Sequence, residues 1–248
     1  MIRRLGGRTR LTEPALRVAA AVTDRQVVRG YFERPDEMLR YWFFLLTLLH
    51  SSGYPRPELI ALAKTALDVK FPDLRGLLPV ERQELRYSLD LAGVPTTMPT
   101  HAELAAAALD DLLSRSDSLD MVDAYALTHL VLYAADLGAA PLPLDPEPVR
   151  KLVREQLDVQ IALGDHDLTA ELVQCARIAG IRDDPLVLRG LRTLLAAQHE
   201  DGAVPSPPFD ATIHERLRGG ELAGYRFAAR YHTTLVTAMA AADHLARQ

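Results

Sequence analysis

Four segments of this chain each run nine residues from a conspicuous side chain to a glycine, and they recur at nearly constant spacing. They read FLLTLLHSSG from Phe44, ELRYSLDLAG from Glu84, HLVLYAADLG from His129 and ELVQCARIAG from Glu171. The starts lie 40, 45 and 42 residues apart, the length of two helices and two turns. A fixed period of this size marks stacked helical hairpins. It constrains the fold before any composition is considered, because such hairpins bury their apolar faces only against one another.

The rest of the chain agrees with an all-α reading. Apolar residues recur at three- and four-residue spacing, and strand-like alternation is nearly absent. Proline and glycine divide the chain into helical segments at about 13–31, 36–51, 57–69, 79–92, 100–115, 119–137, 146–162, 166–179, 184–198 and 228–246. Pro14, Pro57, Pro148 and Pro185 stand where a first turn tolerates a missing N–H. Thr100 and Glu103 have capping-box spacing, Asp36 and Asp184 are candidate caps, and Gly53, Gly93, Gly138 and Gly180 are candidate left-handed terminators. Residues 1–10 read as a flexible basic N-terminus and 11–248 as a single domain. Within it 200–227, with Pro205, Pro207, Pro208, Gly219, Gly220 and Gly224, reads as a long loop able to close over a substrate.

Two arrangements use such a repeat: an (α/α) toroid of about five hairpins around a central cavity, or an open α-solenoid. The last helix, RYHTTLVTAMAAADHL with His232, supplies the fifth unit. Both chain ends are apolar-periodic without a polar cap, which favours closure.

Composition excludes several classes. A formal charge of −5 with no basic block beyond Arg3, Arg4, Arg8 and Arg10 argues against nucleic acid. The longest strongly apolar run, Tyr41–Leu49, is about half the ~20 residues of a membrane span. The single cysteine, Cys175, fits a reducing compartment, and a cytoplasmic location is expected.

In the shared register Glu84, His129, Glu171 and His232 begin equivalent inner helices and aim at one cavity. Histidines and carboxylates meeting there suit a divalent metal such as zinc or iron, or a metal-free acid–base pair. The metal ligands expected are His129, Glu171 and His232. Asp167 precedes Glu171 by four residues and shares its helix face, so the two can clamp an ion or hold one proton between them. Tyr133, one turn beyond His129, and Asp123, six residues ahead of it, complete the candidate set. Structural readings stand beside these: helix capping for Glu84, Asp123, Asp165 and Asp167, a core histidine for His129, and a small core residue for Cys175. No phosphate loop, nucleophile elbow or dinucleotide fingerprint is present.

The hairpin repeat and the sequence QHEDGAVPSP at 198–207 resemble the α/α toroids of terpenoid cyclases, protein prenyltransferase β subunits and lanthionine cyclases. In those families a Gln-x-x-Asp-Gly turn ties adjacent repeats together, and Gln198, Asp201 and Gly202 match it once, with Ala203 in place of the usual aromatic. Their cysteine-containing zinc ligands and their Asp-x-Asp-Asp acid motif have no counterpart here. The YALTH, DHDL and YHTT segments also resemble an actinobacterial family found beside natural-product genes. The resemblance supplies no activity; with the histidine and carboxylate set, the first reading is a tailoring enzyme of natural-product or peptide biosynthesis, with a small-molecule or peptide substrate and a partner biosynthetic enzyme. The alternative is a non-catalytic helical-repeat scaffold that binds a peptide or partner enzyme.

Overall fold

Gly53, Gly93, Gly138 and Gly180 all adopt positive φ, between 65° and 88°. Gly53, Gly93 and Gly180, each two residues past a helix end, are therefore the left-handed terminators their positions suggest, whereas the helix before Gly138 stops at Ala134, and Asp136 and Leu137 already take positive φ. The computed structural model describes residues 12–34, 38–70, 76–182, 184–207 and 210–245. Among these residues the protein is α-helical, without a strand. The basic N-terminus and the candidate cap Asp36 lie outside them. The chain divides into two compact units, residues 1–111 and 112–248.

The first unit contains α1 (Thr12–Thr23), α2 (Gln26–Glu33), α3 (Leu39–Ser51), α4 (Pro57–Lys70) and α5 (Pro79–Leu91), and most of α6 (His101–Leu113). The expected helix at 13–31 is broken at Asp24 and Arg25, where no proline or glycine announces a break. Thr23 closes α1 by donating its hydroxyl to the Ala20 carbonyl, the local competition with the helix ladder that Thr favours. At the centre lies α3, packed against α1, α2, α4 and α5. It contributes Leu39, Phe43 and Leu46, all fully buried. Its neighbour Trp42 stacks on Tyr31, with ring centroids 5.4 Å apart. Thr100 and Glu103 form the reciprocal capping box at the start of α6.

The second unit contains α7 (Met121–Ala134), α8 (Pro146–Leu163), α9 (His166–Ile178), α10 (Pro185–Ala197), α11 (Ala211–Arg216), α12 (Gly219–Ala228) and α13 (Tyr231–Leu245). Its axis is α9, which packs against α7, α8, α10 and α13. Every residue from Asp167 to Ala176 is buried, as befits a helix enclosed on all sides. Leu168 and Leu172 are fully buried, each stabilising the unit by about 1.5–3 kcal/mol. Asp165 starts α9 by accepting the backbone N–H of Leu168 at 3.0 Å, and Asp184 caps α10 through Leu186 N–H at 2.9 Å.

The segment expected as a loop at 200–227 instead holds α11 and the first part of α12. Asp210 accepts the N–H groups of Thr212 and Ile213 and so nucleates α11 despite the flanking prolines. The Gln-x-x-Asp-Gly match forms a tight turn. Gln198 Nε2 donates to the Gly202 carbonyl at 2.9 Å, and Asp201 pairs with Arg230 just before α13. No described helix is long and apolar enough to cross a membrane.

Candidate functional site

Placing Asp165 at the N-cap leaves Asp167 and Glu171 on one face of α9, four residues apart. That face meets the first turn of α13, and His232 comes between the two carboxylates. Its Nδ1 lies 2.9 and 3.1 Å from the two oxygens of Asp167. Its Nε2 lies 3.6 Å from Glu171 Oε1. Ionised Asp167 can only accept, so Nδ1 carries the proton and Nε2 faces Glu171. The His232 side chain is 45% exposed, whereas those of Asp167 and Glu171 are 9% and 5% exposed.

Neighbouring hydroxyls hold both carboxylates. Thr233 donates to Asp167 at 2.6 Å and Tyr125 donates to it at 3.0 Å. Thr128 donates to Glu171 at 2.6 Å. Three helices thus build the site: α7 supplies Tyr125 and Thr128, α9 the carboxylates, and α13 His232 and Thr233.

The charges follow from these contacts. Burial works to raise the Asp167 carboxyl, but hydrogen bonds from His232, Thr233 and Tyr125 and the imidazolium charge outweigh it, holding Asp167 below its ordinary value. Burial pushes Glu171 up to about 7 against the Thr128 hydrogen bond, and the Asp167 charge adds to the rise. The hydrogen bond to Asp167 raises His232 against its partial burial, and both carboxylate charges assist. Burial lifts the Tyr125 phenol, as does the adjacent Asp167 charge. Cys175 is fully buried, and burial raises its thiol further from the reactive thiolate.

The remaining expected residues fall at different distances from this centre. His129 lies on α7 with its ring 5.5 Å from that of Tyr133. Burial, and then the charge of His232, depress it to about 4, so it is a neutral imidazole within electrostatic reach of His232. Tyr133 stands one turn further along α7, its ring against that of His129. Asp123 belongs to the start of α7: it forms a capping box with Asp120 and an ion pair with Arg115. Glu84 lies in the first unit, 3.9 Å from Arg40. There burial raises its carboxyl against the pull of Arg40.

Among the described residues Asp167, Glu171 and His232 form a metal-capable set, each offering one ligand atom within 4.8 Å of the others. Asp167 thus takes the place expected of His129 in that tight cluster. Tyr125, Thr128 and Thr233 escaped the sequence reading, although Thr128 and Thr233 each adjoin one of the two histidines that the repeat singled out. The arrangement can move a proton at His232 Nε2, or hold a cation between that nitrogen and Glu171.

Residues 1–242 match the family described as a domain of unknown function (DUF6895), and the chain belongs to that family. No curated protein and no solved structure matches it.

Proposed function

We propose that the second unit carries the reactive centre of a tailoring enzyme acting on a small molecule or peptide, with His232, Asp167 and Glu171 as its working groups. The observation that supports this most is one imidazole, half open to solvent, whose two nitrogens each face a buried carboxylate. Buried carboxylates are costly to maintain, and a network that exists for packing alone is readily replaced by apolar residues. Here three hydroxyls on two other helices hold the carboxylates in place, the support that a reacting group needs to stay oriented.

Asp167 keeps His232 in one tautomer, leaving Nε2 to meet substrate or a bound ion beside Glu171. Natural-product or peptide biosynthesis, a cytoplasmic setting and a partner biosynthetic enzyme are parts of the same proposal. So is closure of the hairpins into an (α/α) toroid rather than an open solenoid, which small-angle scattering distinguishes.

The test is turnover. Wild-type protein is incubated in deuterated solvent with extracts and peptides from the producing cells, and mass spectrometry reads conversion or deuterium uptake. Conversion by wild type that falls at least about 100-fold in His232→Asn and Glu171→Gln supports the reading. Conversion unaffected by either substitution overturns it. No conversion, together with retention of a peptide or protein by wild type and both variants alike, also overturns it and favours the scaffold.

A further inference from the structure

The gap between His232 Nε2 and Glu171 Oε1, 3.6 Å, is too long for a good hydrogen bond. Two ligands sharing one tetrahedral ion, each about 2.0–2.1 Å from it, are separated by roughly 3.3–3.4 Å. The separation therefore suits a common ion better than a direct contact. The other face of the imidazole is already arranged for this task. Nδ1 is tied to Asp167, the carboxylate–histidine arrangement that orients a ring whose far nitrogen binds metal. Glu171 is fixed in turn by Thr128.

We propose that His232 Nε2 and Glu171 bind one divalent transition-metal ion, with Asp167 as the group that positions His232. A site combining imidazole nitrogen and carboxylate oxygen selects zinc-like ions over magnesium or calcium, which favour all-oxygen sites. The half-exposed imidazole leaves the remaining positions open to water and substrate, as in a catalytic rather than a closed structural site. The inference rests on the reading of these side chains as a reactive centre, and it identifies what that centre holds.

The experiment is titration of the chelator-stripped full chain with Zn²⁺ by calorimetry and with Co²⁺ by visible absorption. One ion per chain is expected. Affinity should fall at least about 100-fold in His232→Ala and Glu171→Gln, and about 10–100-fold in Asp167→Asn. His214→Ala, on exposed α11, should show none. Circular dichroism checks the fold of each variant. In wild type, Zn²⁺ should also shift the His232 imidazole resonance, a measurement independent of any substitution. Absence of binding, or binding equal in wild type and His232→Ala, overturns the proposal. Turnover that survives chelation but is lost in His232→Asn also overturns the metal while leaving the catalytic reading intact. Stoichiometric binding with turnover insensitive to both variants supports the metal and removes the catalytic role.

Discussion

The two units bury different things around their central helices. In the first, α3 fills the interior with Leu39, Phe43, Leu46 and Leu49, and its buried polar residue, Thr47, satisfies itself on the Phe44 carbonyl. In the second, α9 brings Asp167, Thr169, Glu171 and Gln174 into the interior. Among the described residues the buried carboxylates, Asp123, Asp165, Asp167 and Glu171, all belong to the second unit. Asp123 and Asp165 serve helix starts, which leaves Asp167 and Glu171 as interior charges without a capping role. On the proposed reading those interior charges serve a reactive centre, whereas the interior of the first unit serves stability.

The comparison breaks most readily at Phe43. Phe43→Ala should cost about 3–5 kcal/mol in the first unit by opening a cavity among its apolar neighbours, read by urea denaturation. A loss below about 1 kcal/mol would show that the first unit is not held by this core. Next comes Thr128→Val, which leaves a buried Glu171 oxygen without its donor. A loss of about 1–3 kcal/mol is expected, with Thr128→Ser restoring it. Glu171→Gln keeps the shape and removes the charge. Stability should change by no more than about 1 kcal/mol, or rise, while turnover collapses. A large loss of stability instead would make Glu171 a structural anchor and erase the contrast between the units.

The smallest effect belongs to Glu84 in the first unit. Its carboxyl titrates above its ordinary value of 4.5 because it is partly buried, despite Arg40. Over that interval the folded chain binds more protons than the unfolded chain, so stability falls as pH rises from about 4.5 through the raised value. Wild type should therefore lose stability relative to Glu84→Gln across that interval, measured by denaturation at successive pH values. A difference of the opposite sign would mean that the Arg40 pair outweighs burial.

Most helix boundaries were legible because prolines, glycines and acidic caps mark them with local chemistry. Pro57 and Pro185 each begin a helix, Pro14 and Pro148 stand third in theirs, and Gly53, Gly93 and Gly180 each follow a helix end by two residues. The break at Asp24–Arg25 was not legible, since helical periodicity runs through it. Nor were α11 and α12, whose glycines and prolines read as loop when Asp210 is not recognised as a cap. At the site, the repeat pointed to Glu171 and His232, and the four-residue spacing pointed to Asp167. What it could not convey is which neighbour of each residue turns inward. The register singled out His129, but it is the adjacent Thr128 that reaches Glu171, because successive helical residues point about 100° apart. Asp123 and Asp165 occupy the same place ahead of the register and both serve helix starts, a recurrence that the repeat displayed without distinguishing capping from catalysis.

The start of α13 is fastened from upstream. Val204 N–H donates to the Thr234 hydroxyl, Ser206 is bonded to the Ala229 carbonyl through both its N–H and its hydroxyl, and Arg230 reaches back to Asp201. The chain that leaves at Pro207 and returns at Ala228 is thus an excursion whose two feet are stapled together. Because those feet are joined to each other, a change in the length of α11 and α12 between them is expected to leave His232 at the same point opposite α9.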